Sequence, residues 1–197
     1  GAPDYVSEDV YRFWRNHGSR IMVYGVVLVV GVVGIQAWKY FSTARQDSLR
    51  ENFAELESEE AKLAFASEHE SHPLGGYGYL QLAKASMEAG EFENAHTYYS
   101  KASTSLSETP VGGIVALGKA SSAHALGQAD EAIAAFETIA AQETYPQGIR
   151  AEAMFKRIVI GLEAGEDNIA EEYASQLQAF DETGIWTQRL ETVKYYQ

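Results

Sequence analysis

Two patterns of apolar residues divide the chain. From Ile21 to Trp38 the sequence reads IMVYGVVLVVGVVGIQAW, 18 residues with no charge and one strongly polar side chain, Gln36. These apolar residues surround a helix and form no stripe, the pattern of a segment without an aqueous face. Residues 42–71 are polar instead, with Leu49, Phe53, Leu56, Leu63 and Phe65 at helical spacing. They predict a helix leaving the apolar run, a break near Ser58 and a short second helix. From residue 73 the punctuation becomes periodic. Pro73, Pro110 and Pro146 are 37 and 36 residues apart, and Gly90, Gly127 and Gly165 are 37 and 38 apart. An alanine stands five residues after each glycine: Ala95, Ala132 and Ala170. A period of this size predicts stacked helical hairpins.

The apolar run extends roughly 27 Å as a helix, close to the ~30 Å hydrocarbon thickness of a bilayer. Phe13, Trp14 and Arg15 flank one end, and Trp38, Lys39, Tyr40 and Phe41 the other. Amphipathic aromatics and long basic side chains suit the headgroup layer, which makes Trp14, Arg20, Trp38, Lys39 and Tyr40 the expected membrane-interface residues. A buried core helix and a cleaved signal peptide are the rival readings. Ser42-Thr43-Ala44 offers small residues for cleavage, but the bulky belt Trp38–Phe41 before it reads as an anchor. Three arginines precede the span and Lys39 and Arg45 follow it closely, which orients the N-terminus to the cytoplasm; counting Arg50 as well evens the two sides. Gly25, Gly31 and Gly34 leave small-residue surfaces suited to a second membrane helix.

Each period reads as one helical pair. A proline fits the first turn of a helix, where its missing N–H costs nothing. A glycine ends that helix in a left-handed conformation, and a second helix returns antiparallel. Small alanines at fixed positions let the two approach closely. The pattern resembles the tetratricopeptide repeat. The first unit carries Tyr79, Leu82, Ala83, Gly90, Phe92, Ala95, Tyr99 and Ala102 at that family's spacing. The second keeps Ala120, Gly127, Ala132 and Phe136, but has Lys119 in a leucine slot and Ile139 in the last alanine slot. The third keeps Gly165 and Ala170, with Ala174 in the aromatic slot and Tyr173 beside it. Ile185, Trp186, Leu190, Val193 and Tyr196 predict a last helix capping the stack.

The layout also resembles a narrower family. A short N-terminal segment ending in RFWRNHG, one span, a polar helix and about three divergent repeats containing AGEFENA resemble the ancillary subunit of the bacterial SecYEG translocon. That resemblance implies a single-pass protein of the bacterial cytoplasmic (inner) membrane. It implies a cytoplasmic N-terminus and a periplasmic repeat domain that associates with translocon and chaperone.

Charge follows the same division. Residues 1–50 carry six Lys/Arg against four acids, and residues 51–197 carry nine bases against 24 acids, within a formal charge of −13. That sign opposes nonspecific binding to nucleic acid. The chain has no cysteine, which excludes disulfides, thiolate metal sites and a cysteine nucleophile. There is no GxSxG, P-loop or GxGxxG. His69-Glu70-Ser71-His72 is the one dense group of metal-ligating side chains, but Pro73 follows and the HExxH spacing is absent, so it reads as a solvated helix end. The carboxylate runs Glu57–Glu60 and Glu166–Glu172 read as solvated faces, and Gly75-Gly76-Tyr77-Gly78 as a helix entrance. Tyr77, Tyr79, Tyr98 and Tyr99 are either groove-lining or packed between helices.

The expected architecture is all-α: a single transmembrane helix followed by a tetratricopeptide-like α-solenoid of about three hairpins and a capping helix. Its parts are a juxtamembrane segment 1–20, an anchor 21–41, a polar helical connector 42–72 and a repeat domain 73–197. The expected function is a non-catalytic, membrane-tethered protein-binding scaffold assisting protein export or envelope assembly. The alternative is a structural accessory subunit of a large membrane enzyme complex. No catalytic residue, metal, cofactor or small-molecule substrate is expected; partners are proteins, met through the repeats and the span. The first helices, roughly 74–89, 111–126 and 147–164, carry Lys84, Lys119, Arg150, Lys156 and Arg157 against Glu88, Glu152 and Glu163. A mildly basic inner face is therefore expected, with Tyr79, Lys84, Lys119, Lys156 and Arg157 as its binding residues.

Overall fold

The computed structural model describes the backbone of residues 5–195 and the side-chain surroundings of Tyr24 and residues 26–193. Among the described residues there are nine helices and no strand: α1 (Tyr5–Ala54), α2 (Glu59–Glu68), α3 (Pro73–Ala89), α4 (Phe92–Leu106), α5 (Gly112–Ala125), α6 (Ala129–Ala141), α7 (Gln147–Glu163), α8 (Asp167–Phe180) and α9 (Ile185–Tyr195). They form two compact units that divide after Asn52.

The first unit is the body of α1. The side chains described along its apolar run are uncovered: Val27, Leu28, Val30 and Ile35 are each 58–67% exposed. Residues Val26–Ala54 contain an 18-residue window of mean hydropathy 1.5, none of it buried. By length and composition this helix can cross a membrane. A core helix of a soluble protein would be covered on at least one side, so the structure does not support that rival reading.

The second unit holds α2 to α9. Ser58 breaks the chain as expected: its hydroxyl accepts a hydrogen bond from the Ala61 N–H and caps α2. Three antiparallel pairs follow, α3/α4, α5/α6 and α7/α8, with α4 also packing on α5 and α6 on α7. The three first helices end in one way. Gly90, Gly127 and Gly165 have φ of 76°, 77° and 72°, the positive values found among the described residues. Each glycine N–H donates three residues back, to Met87, His124 or Leu162, and the following N–H donates five back, to Ser86, Ala123 or Gly161. That is the Schellman closure, which pairs carbonyls the helix end would leave orphaned. The prolines are less uniform. Pro73 opens α3 at its first turn, Pro146 caps α7, but Pro110 lies in the turn before α5, ahead of the helix it was expected to start.

The core is built from small residues that let helices approach, wedged by a few large ones. Ala83, Ala95, Ala102, Ala132, Ala151 and Ala153 have no exposed surface, nor do Tyr79, Phe136, Leu106 and Leu177. They fall in two clusters, one centred on α3/α4 and one on α5 to α9. α2 belongs to this unit: Phe65 and Ala66 are buried, Phe53 packs on Phe65 at 5.5 Å, and Ala66 lies 3.1 Å from where a Cβ on Gly78 would stand. At the other end α9 packs on α7 and α8, with Leu190 buried and Trp186 against Phe155 at 5.3 Å. Both ends of the stack are thus sealed, as short repeat arrays require.

Candidate interaction groove

The side chains that first helices turn away from their partners form an inner groove. A cavity of about 270 Å³ there is lined by Met87 of α3, Ser121 and His124 of α5, and Phe155, Lys156 and Val159 of α7, with Phe136 at its floor. One groove therefore takes side chains from all three repeats. Its lining is mixed: Met87, Phe136, Phe155 and Val159 are apolar, and Ser121, His124 and Lys156 are polar. His124 Nε2 lies 3.0 Å from Glu163 Oε2, tying the second repeat to the third beside the groove. Lys156 Nζ sits 3.6 Å from Glu152 Oε1, one turn away on α7. Lys84 is exposed and stands six residues before Gly90, the offset at which Ser121 and Val159 precede their own glycines. Repeat geometry thus puts Lys84 on the groove side with them.

Other expected binding residues lie elsewhere. Tyr79 has no exposed surface; its ring stacks on Tyr98 at 6.1 Å and its hydroxyl meets Ser67 Oγ at 3.2 Å. It is a core residue. Arg157 is only 4% exposed. Its Nε donates to Glu137 Oε1 at 3.0 Å, Nη2 reaches Glu166 Oε2 at 3.5 Å, and the guanidinium lies 5.5 Å over the Tyr173 ring. Burial chiefly, and then the Glu137 charge, raise the pKa of the Tyr173 hydroxyl; Arg157 opposes them. This cluster joins α6 to α7 and α8 and buries the Arg157 guanidinium between them. Arg150 likewise turns inward, donating from Nε to the Ala140 carbonyl at 2.9 Å and lying 4.6 Å over Phe180. Lys119 is half-buried and faces away from the inner groove, because residues 119 and 121 project about 200° apart on a helix. Of five bases on the first helices, Lys84 and Lys156 remain on the inner face.

The other sequence candidates are resolved by position. Trp38, Lys39 and Tyr40 are exposed on α1; Trp14 and Arg20 lie on α1, but their side chains fall outside the described ones, as does Tyr196 entirely. His72 is the N-cap of α3, its Nδ1 accepting from the Leu74 N–H at 3.1 Å. Among the described residues no three His, Asp or Glu gather as a metal cage. Tyr99 is 5% exposed and packs over Gly118, where a Cβ would strike its ring, while Tyr77 and Tyr98 are half-buried. Met87, His124 and Val159 were not singled out by sequence. The signal for them was a fixed offset: Met87 and His124 each stand three residues before their glycine, and Val159 shares with Lys84 and Ser121 an offset of six.

The model of the family described as a tetratricopeptide repeat-like domain matches residues 11–153. The chain belongs to the tetratricopeptide repeat-like family. The match starts within α1, ahead of the apolar run, and ends within α7, so it takes in most of α1, the connecting helix α2 and the first two helical pairs. No curated protein matches the chain. Tetratricopeptide-like domains are typically non-catalytic protein-interaction scaffolds, and the inner groove is the surface such a stack offers.

Proposed function

We propose that this tetratricopeptide-like protein is a membrane-tethered, non-catalytic scaffold that holds a segment of a partner protein in its inner groove, beside a membrane machine for protein export or envelope assembly. The observation that carries the reading is the joining, in one chain, of a groove lined from three repeats to an uncovered helix long enough to span a bilayer. Tethering confines the groove near the membrane, so a weak contact becomes effective through high local concentration. The layout resembling the translocon's ancillary subunit supports an N-terminus in the cytoplasm, a repeat domain outside the inner membrane, and partners among translocon subunits and chaperones. The proposed domain division is a juxtamembrane segment 1–20, an anchor 21–41, a polar helical connector 42–72 and a repeat domain 73–197.

Co-purification in mild detergent, read by mass spectrometry, tests both levels. Translocon subunits or chaperones support the export reading; stoichiometric subunits of a membrane enzyme complex in their place overturn it. The docking surface is tested by Lys84→Glu with Lys156→Glu. The pair is expected to deplete the recovered partner while circular dichroism stays unchanged, and undiminished recovery contradicts inner-groove docking.

A further inference from the structure

The three repeats treat one position in three ways. Leu82, Lys119 and Arg157 each stand eight residues before their glycine. In the first repeat the position holds a buried leucine, 5% exposed, and Tyr98 stands eight residues after the glycine. In the third it holds Arg157, enclosed by Glu137, Glu166 and Tyr173, the tyrosine again eight after the glycine. In the second it holds Lys119, and all three enclosing groups are missing. Ser100 stands at the offset of Glu137, Gln128 at that of Glu166, and Ala135 at that of Tyr173. Lys119 makes no ion pair among the described residues. Where the tyrosine is missing, a cavity of about 420 Å³ opens between α5 and α6, lined by Lys119, Ala120, Ala134, Ala135 and Tyr145. Its one carboxylate, Glu131, faces His96 at 3.8 Å.

We infer that this outer niche of the middle repeat is a second docking site, which takes from a partner protein a carboxylate beside an aromatic ring. The carboxylate supplies to Lys119 what Glu137 and Glu166 supply to Arg157, and the ring fills the space over Ala135 that Tyr173 fills in the third repeat. The charge is complementary: a half-buried base without a carboxylate stands in an otherwise acidic unit. The alanine walls provide flat apolar surface for a ring. Lys119 projects away from the inner groove, so a single partner, or two, can engage both. It rests on the scaffold reading only in that the occupant belongs to a protein.

The full chain in detergent micelles, labelled at alanine methyl groups, reports on the niche through Ala116, Ala120 and Ala134. The probe is 3-(4-hydroxyphenyl)propionate, which carries a carboxylate and a phenol ring. Saturable shifts at these methyls are expected, absent with the neutral amide of the same acid. Lys119→Met and Ala135→Tyr are each expected to weaken binding about tenfold, the scale of one charged hydrogen bond or a filled ring site. Ala135→Tyr restores the residue the other repeats carry, and Lys119→Met keeps the side-chain volume, so the two do not share a folding defect. Lys84→Glu with Lys156→Glu is expected to leave the shifts in place, which separates this niche from the inner groove. Unmoved methyls, equal shifts with the amide, or binding unaffected by Ala135→Tyr would overturn the inference.

Discussion

The valines of α1 and the alanines of α3 to α8 are both apolar, but the structure handles them in opposite ways. Val27, Val29 and Val30 stand 60–65% exposed around the helix, whereas Ala83, Ala95 and Ala132 have no exposed surface at all. The difference lies in pattern and not in hydrophobicity. A run apolar on every face has no side left for water and can be satisfied only by lipid or by protein around the whole helix. A helix with small residues on one face and charges on the other is satisfied by a neighbouring helix. The chain thus carries two patterns of apolar residues, changing between residues 41 and 73.

Changes that cut across that division should have unequal effects. The largest is Phe136→Ala. Its ring is fully buried where α5, α6 and α7 meet, and the loss should be about 3–5 kcal/mol of repeat stability, measured by urea unfolding. Val30→Arg should leave that unfolding transition unchanged and cost about 3 kcal/mol of membrane insertion, seen as a shift from the membrane to the soluble fraction. Gly127→Val puts a β-branched residue at φ 77° and should cost about 1–2 kcal/mol of repeat stability by the same unfolding assay. Arg157→Leu should be the mildest, within about 1 kcal/mol. It replaces the buried base by the residue that fills the same offset in the first repeat, and Glu137 and Glu166 are exposed enough to regain water.

These four positions also mark how far the sequence could be read. Gly127 was legible because a left-handed helix end has few other solutions, and the period of the three glycines located it three times. The apolar run was legible because composition alone excludes a wet face. Arg157 was misplaced because a basic residue on a first helix was counted with the surface. Its eight-residue offset from Gly165, shared with buried Leu82, carried the opposite message. Tyr79 was misplaced as a docking residue although its slot is the large-residue slot of the repeat, which points it into the core. Pro110 was read as a helix start by analogy with Pro73, but Thr109 and Gly112 instead close a turn, with the Gly112 N–H donating to the Thr109 carbonyl at 2.9 Å. Which bases survive on the inner face depends on pairing between helices distant in sequence, such as Arg150 to the Ala140 carbonyl, and no local pattern records that.

We propose that a membrane anchor and a self-sufficient repeat unit share one chain. Alkaline carbonate extraction of membranes from cells making either the full chain or a shortened chain beginning at Arg50 tests it most directly. The full chain is expected to stay in the membrane pellet at its full length, and the shortened chain to be soluble and to unfold cooperatively. Full-length protein released by carbonate, or a shortened chain that fails to fold, would contradict it.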